Sequence, residues 1–255
     1  MYWTNQEVEL LKNHFLKEGE YFLSKLLNKS PNAIKIKAFR CGMGKLKARK
    51  DIQLSHKEDQ ILLGTLLGDT YCRIKKSCKH ALIEGAHCKY QEPYLLWKVN
   101  CLKNFQFNLR RTKIGNLFFE SKQYPCLNDY HILFYKNGKK EVSIDILDKL
   151  DALALAVWYM DDGTYRKRDK NSRLCTNGFT HAENKLIQEW FKTKWDITAK
   201  IAQSKDPKRH PGKIWYFLQF NATETRKLIA IIQDYIHPLM NYKIGVNETK
   251  SESKN

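Results

Sequence analysis

The chain has 255 residues, 42% hydrophobic and 12% aromatic, enough apolar material for one sizeable domain with a small companion, which excludes a disordered chain. Its 45 Lys+Arg against 27 Asp+Glu give a net charge of +18 spread along the whole length, so the expected partner is a polyanion, nucleic acid before a membrane surface. No apolar run is long enough for a membrane span, MYWTNQEVEL lacks the order of a secretory signal, and seven cysteines without a C-x-x-C pair argue against a zinc site or disulfide framework.

Residues 1–44 carry three expected helices. Thr4 and Glu7 have capping-box spacing, followed by Val8, Leu11 and Phe15 on one helical face. YFLSKLLN supplies a second helix. Ser30 and Pro31 open the third over SPNAIKIKAFR, with glycines at 42 and 44 as its stop. That helix offers Lys35, Lys37 and Arg40 beside Ile34 and Phe39, an order that fits a helix-turn-helix module whose last helix enters a major groove. Three helices of this size also occur as plain packing modules. Eleven Lys/Arg against four Glu over residues 1–50 favour DNA. The early W-T-x-x-E and the S-P-N-A-I-x-x-K-A segment resemble the Myb/SANT-like domains. Residues 45–54 read as a basic linker, lying along phosphates or simply solvated.

The main domain is expected over residues 55–250, in halves of about 55–142 and 143–250, with 251–255 a polar tail. SHKEDQILLGTLLGDTY opens the first half with a Ser55/Glu58 capping box and an apolar helix that ends at Gly68 and Asp69. ALALAVWYMDDGTY opens the second, capped by Asp151 and ending at Asp161 and Asp162. Both helices are apolar almost all round, so both are expected to be buried. Gly64 and Gly68 in one, Ala154 and Ala156 in the other, allow close backbone approach. Eighteen residues beyond each acid stand His87 and Thr180, and 22 beyond stand Gln91 and Asn184, read as helix N-terminal residues. Strand-like runs follow: TYCRI, ALIEGA, NLFFES, YHILFY, RLCTNGF and IWYFLQF. The pattern predicts an α+β fold, a pseudo-twofold pair of αββαββα halves.

Packing the two apolar helices side by side would bring Asp69 and Asp162 together. Two such carboxylates repel each other, and a divalent cation relieves the repulsion. Oxygen ligands suit Mg²⁺, with Mn²⁺ able to substitute, rather than zinc. Together with scissile phosphates this is the arrangement for metal-assisted phosphodiester hydrolysis. A pure capping role is a poor alternative, because an acid at a helix C-terminus opposes the helix dipole.

LLGTLLGDTY and LALAVWYMDDGTY resemble the two signature helices of the LAGLIDADG homing endonucleases, in the single-chain, two-motif branch, over about residues 55–246. The resemblance implies a saddle of two antiparallel sheets on double-stranded DNA. It also implies one chain acting as a monomer, and cleavage of both strands across the minor groove to leave 3′ overhangs. It assigns metal binding to Asp69 and Asp162, with Gly68 and Asp161 as neighbouring metal positions. It places Lys140 (or Lys139) and Lys243 near the scissile phosphates, and makes His87 and Thr180 candidates for orienting water; packing is the equal alternative for His87. Groove readers are expected among Arg73, Lys75, Lys76, Arg166, Lys167, Arg168, Arg173, Lys205, Lys208 and Arg209. KRDKNSR and SKDPKRHPGK read as hairpin tips that follow the groove. Gly68 faces Asp161 in the motif alignment, so the halves are not equivalent, which suits an asymmetric target.

The expected function is therefore a site-specific, metal-dependent DNA endonuclease of the intron-homing kind. The alternatives are an RNA-binding intron maturase and a non-cleaving DNA-binding regulator. The expected location is intracellular, either bacterial or phage-infected cytoplasm or an organelle, without membrane association.

Overall fold

The structure, a computed structural model, describes residues 3–41, 43, 52–76, 78–205 and 210–246. It divides into two compact units, Met1–Lys50 and Asp51–Asn255.

In the first unit, helix α1 (Asn5–Leu27) starts where its capping box closes: the Glu7 amide donates to Thr4 Oγ1 at 3.2 Å, and the Thr4 amide to Glu7 Oε2 at 2.8 Å. Gly19 breaks the run with φ 80° and ψ −179°, a conformation reserved for glycine, so two helical segments precede α2 (Pro31–Arg40). Ser30 Oγ accepts from the Ala33 amide at 3.2 Å, and Pro31 occupies the first turn, where a missing N–H costs nothing. Leu11, Leu23, Ile34 and Ala38 form a small separate core, with Trp3, Phe15, Leu27 and Met43 against it. Phe39 lies outside that core, 73% exposed. Glycines 42 and 44 and linker residues 45–51 lie outside the described residues.

The first half of the second unit comprises α3 (His56–Leu67), β1 (Thr70–Arg73), β2 (Leu82–His87), α4 (Glu92–Cys101), β3 (Phe107–Arg111), β4 (Leu117–Ser121) and α5 (Leu127–Phe134). A short hairpin, β5 (Tyr135–Lys136) and β6 (Lys139–Lys140), and helix α6 (Ile144–Leu147) lead to the second half. This half has α7 (Ala152–Asp162), β7 (Gly163–Arg166), β8 (Asn171–Leu174), α8 (His181–Trp195), β9 (Lys200–Lys205), β10 (Ile214–Phe220) and α9 (Ala222–Ile232). A 3₁₀ segment, Pro238–Ile244, follows. Both halves run helix–strand–strand–helix–strand–strand–helix. Each builds a four-stranded antiparallel sheet of the same order, β1-β2-β4-β3 and β7-β8-β10-β9. This is the α+β, two-halved architecture expected from the sequence.

One segment differs from expectation. YHILFY is not a strand; it forms most of α5 and the residue after it. Leu127 and Phe134 are buried two helical turns apart, with Tyr130 and Leu133 packed on the same core. A short apolar and aromatic run suits either structure, and here burial along one helical face decides. The strands that complete the two sheets are instead the largely exposed FNLRR and KIAQSK.

The seam of the second unit is α3 against α7. Every residue from Gln60 to Leu67 and from Leu153 to Asp161 is buried. A Cβ built on Gly64 would lie 2.4 Å from the Ala154 carbonyl oxygen and 2.8 Å from Val157 Cβ, so glycine is what lets the two backbones approach. The helix starts are tied across the seam. Gln60 Nε2 donates to the Lys149 carbonyl at 3.0 Å, and the Asp151 amide donates to Gln60 Oε1 at 2.8 Å.

Candidate active site

Each seam helix brings an acid to its end: Asp69 stands two residues beyond α3, and Asp162 is the last residue of α7. Gly68 caps α3 and hands the chain to Asp69, whose side chain is exposed; α7 ends with buried Asp161 and half-buried Asp162. Asp69 and Asp162 line one open cleft of about 740 Å³, together with Lys139, Lys140, Cys175 and Thr180. A smaller cleft of about 350 Å³ adjoins it, sharing Asp162 and Cys175 and adding Asp161 and Lys243. The sequence-based expectation that positions 69 and 162 meet thus corresponds to a single cavity wall.

The electrostatics follow from that meeting. Burial pushes the Asp162 carboxyl up to about 7, and the neighbouring charges of Asp69 and then Asp161 push the same way. Asp69 is raised by desolvation and by Asp161. Two lysines stand against this negative charge, one per motif. Lys140 Nζ donates to the carbonyls of Gly68 at 3.1 Å and Thr70 at 3.0 Å. Lys243 Nζ donates to the carbonyls of Met160 at 2.5 Å and Asp161 at 2.8 Å. Burial lowers Lys140 to about 8, with Asp162, Asp161 and Asp69 opposing; Lys243 is lowered for the same first reason. Lys139 also borders the larger cleft, but Lys140 is the lysine that reaches the helix end.

Asp161 behaves differently from its neighbour. Burial alone would raise its carboxyl, yet Lys98, His87 and Tyr94 hold it below the usual range. Lys98 Nζ donates to Oδ1 at 2.9 Å and Oδ2 at 3.1 Å, and Tyr94 Oη donates to Oδ1 at 2.9 Å. Lys98 is itself only 3% exposed and also donates to Thr65 Oγ1 at 3.0 Å. Neither Lys98 nor Tyr94 is singled out by the sequence pattern. The available signal was a lone lysine on an otherwise apolar helix face, one turn after a tyrosine.

His87 is buried beside this pair. Its Nε2 has no hydrogen-bond partner among the described residues and lies 4.0 Å from Asp161 Oδ1; its Nδ1 is 3.2 Å from Gln91 Oε1. Burial, and then the nearby Lys98 charge, lower its pKa to about 4, so the imidazole is neutral near pH 7. One ligand atom each from Asp69, His87 and Asp161 lie within 4.8 Å of one another. Thr180 does not share the place of His87, contrary to the expected match. Register sets Thr70 opposite Gly85 and Gly163 opposite Leu174, which carries His87 to Thr176. The reason is the shorter second hairpin, which turns over residues 167–170 where the first uses 74–81. Thr180 instead corresponds to Gln91, each standing just before its helix, and its Oγ1 accepts from the Glu183 amide at 3.3 Å. Asn184 is buried, donating to the Thr180 carbonyl at 2.9 Å.

A family-wide sequence profile described as the LAGLIDADG DNA endonuclease family matches residues 59–228. The chain belongs to the LAGLIDADG DNA endonuclease family. Among its relatives is "Cytochrome b mRNA maturase bI2" of Debaryomyces hansenii, 30% identical over 203 residues, covering 73% of this chain and 72% of that protein. "Probable intron-encoded DNA endonuclease 3" of Mycosarcoma maydis is 30% identical over 131 residues, covering 49% of this chain and 88% of that one. "Protein RecA" of Mycolicibacterium flavescens is 26% identical over 205 residues, and the chain spans about half of that protein, 47% of its length. The solved structure of "The homing endonuclease I-WcaI bound to its DNA recognition sequence" shares the fold, with a TM-score of 0.67, 21% identity, and coverage of 88% of this chain and 98% of that one.

The sheet faces of this LAGLIDADG protein place the expected groove readers unequally. On the first sheet Arg73 pairs with Glu84 at 2.8 Å and Lys75 with Glu120 at 2.6 Å; Lys76 is exposed in the turn beyond. On the second, Arg173 stacks over Phe217 at 5.1 Å, and Thr164, Arg173, Gln219 and Lys200 form one cross-strand row. Arg166 and Arg168 meet Asp169 at the β7–β8 turn, at 3.4 and 3.0 Å, with exposed Lys167 between them. Lys205 ends β9, while Lys208 and Arg209 lie outside the described residues. Arg110, not singled out in the sequence, stacks on Phe118 at 4.4 Å. In the N-terminal unit Lys35 pairs with Glu20 at 2.9 Å, Lys37 lies 5.7 Å from the Trp3 ring, and Arg40 is exposed.

Proposed function

We propose that the chain is a site-specific double-strand DNA endonuclease that works with Mg²⁺, for which Mn²⁺ would substitute. The observation that carries this reading is the shared cleft of Asp69 and Asp162, in which each seam helix delivers one carboxylate and each is raised above its ordinary pKa. The donor set fits a hard divalent cation: two carboxylates, with the Gly68 and Asp161 carbonyls that lysine ammoniums hold in the structure. Such a cation, when bound, neutralises charge at the scissile phosphate and acidifies water. The chain's own residues do the rest. Lys140 and Lys243 bring one positive charge per motif to the two cleft walls, placed to hold a phosphate. The exposed arginines and lysines of the two sheets grip the duplex backbone, and arginines such as Arg173 reach base edges. Arg40 and Lys37 on α2 extend the footprint, and both motifs lie in one chain, so the enzyme acts as a monomer.

The test is cleavage of duplexes selected from a random library, in Mg²⁺, by the wild-type chain and Asp162→Asn, with chelator as control. The expected result is that wild type linearises a selected target, while the variant and the chelated enzyme bind it uncut. Cleavage retained by Asp162→Asn would reject the assignment.

A second reading is an RNA-binding maturase, favoured by the likeness to the Debaryomyces maturase across 73% of this chain. It predicts accelerated splicing of an intron transcript that survives Asp162→Asn. Both activities in one chain would show as splicing that persists after cleavage is lost.

A further inference from the structure

The position that corresponds to Asp161 in the first motif is Gly68, and the two meet in space. A Cβ on Gly68 would fall 2.5 Å from Asp161 Cβ and 2.6 Å from its Oδ2. Asp161 therefore crosses the seam and fills the volume that the absent side chain leaves. The groups that receive it all belong to the first half. Besides Lys98 and Tyr94, Thr65 Oγ1 lies 3.4 Å from Oδ2, and the Asp69 amide donates to Oδ2 at 3.3 Å. Among the described residues the second half has no such receptor. α4 and α8 begin at Glu92 and His181, which carries Lys98 to buried Ile187 and Tyr94 to Glu183.

We propose that Asp161 is a positioning residue: with Lys98 as its fixed counter-ion, it anchors the backbone of Asp69, so that one of the two catalytic acids is aligned by a side chain from the opposite half. This rests on the endonuclease reading. The physical case is specific. The chain leaves the helical path at Gly68 (φ −84°, ψ −130°), so the Asp69 amide bonds outside the helix, and its acceptor there is the Asp161 carboxylate. Lys98 and Tyr94 hold that carboxylate in place, Lys98 through both oxygens and Tyr94 through Oδ1. Lys98 offsets the Asp161 charge in part, and what remains of it is still felt by Asp69 and Asp162. Asp162 is the last residue of α7 and takes its backbone position from the helix, while Gly68 has no side chain to reach it.

The test pairs a strand-resolved rate with a local probe on the full-length chain. The key variant is Lys98→Met with Asp161→Asn, which removes both charges together and leaves neither buried alone. Cleavage of a selected duplex labelled on each strand gives two rate constants, and their ratio is expected to move at least tenfold from wild type, with nicked product accumulating. Exchange of the Asp69 amide hydrogen, followed by NMR without DNA or metal, is expected to quicken at least tenfold. Ile187→Val, the second-half control, should leave both readouts within twofold. A strand ratio that stays put, whether both rates fall together or neither does, overturns the positioning role, since a merely structural pair would slow both strands alike. An unchanged Asp69 exchange rate overturns the anchor even if no duplex is ever cut; failure of wild type to cut would instead count against the endonuclease reading. Should the double variant unfold, Asp161→Asn and Lys98→Gln are read against the same two criteria.

Discussion

Helix α3 stops at Leu67 and the chain passes through Gly68 into Asp69; α7 runs on through Asp161 to Asp162 and is capped by Gly163, so of the two matched positions, 68 and 161, only the second carries a side chain. The helices cross so closely that one volume serves both positions. The first half yields the space and lines it with Lys98, Tyr94 and Thr65, while the second half supplies the carboxylate. The sheets repeat the inequality. Glu84 and Glu120 neutralise cations on the first face, whereas the row Thr164, Arg173, Gln219 and Lys200 on the second holds no acid. A duplicated chain order thus sets the frame, and the seam, where two copies compete for one space, is where the copies must differ.

The largest effects should fall on the features the halves share. Asp69→Asn and Asp162→Asn are each expected to lower double-strand cleavage at least about 100-fold, the scale of losing one charge-stabilising group at such a centre. Binding, measured by gel shift, should stay within about threefold, because phosphate contacts by basic residues supply most of the affinity. A loss confined to one of the two variants would break the idea of a shared centre. Next comes the same new residue at two matched buried positions. Lys98→Met leaves Asp161 buried without its partner and should cost about 3–5 kcal/mol. Ile187→Met swaps one apolar group for another of similar size and should cost less than about 1.5 kcal/mol. Urea unfolding measures both, and equal costs would mean that the ion pair is not what distinguishes the halves.

The frame was legible in the sequence because its signals are local. Capping boxes at Thr4, Ser55 and the Asp151 cap all form as read, and the two apolar helices become the seam. The meeting of Asp69 and Asp162 followed from packing those helices as a pair. What local pattern could not carry was the inter-half geometry. Counting residues matched His87 with Thr180, since sequence spacing cannot see that one hairpin loop is four residues shorter than the other. YHILFY looked like a strand because burial along one helical face is decided by distant partners. Lys98 went unnoticed because its significance lies in Asp161, which arrives from the other half.

A smaller effect isolates the shared volume. Gly68→Ala puts a methyl group into Asp161 and should cost about 1–3 kcal/mol, the range for overpacking. Gly178→Ala, at a glycine whose added Cβ would meet nothing within 4 Å, should be close to neutral. Thermal or urea unfolding of the two compares a crowded seam with open space on one substitution type. Equal stability would mean that α3 and α7 part more readily than their contacts indicate.

The smallest expected effect concerns the second acid alone, and its sign depends on pH. The Asp162 carboxyl is raised from the ordinary 3.8 to about 7 in the folded chain, by burial and then by Asp69. Below the unfolded value both states hold the proton and nothing is lost. Between the two values folding takes up a proton, so stability falls as pH rises, and above about pH 7 the full cost of the buried charge is present. Asn mimics the neutral acid. Asp162→Asn should therefore stabilise the metal-free protein near pH 8 and have little effect near pH 4. The shift corresponds to at most about 4 kcal/mol; the cleft admits solvent, so about 1–2 kcal/mol is expected. Added Mg²⁺ should reverse the order near pH 8, stabilising wild type more than the variant, because a cation bound between the carboxylates removes the repulsion that Asn had removed by itself. Metal-free stability curves that run parallel from about pH 4 to 8 would mean that Asp162 does not feel Asp69 across the cleft, and the electrostatic half of the comparison would fall with them.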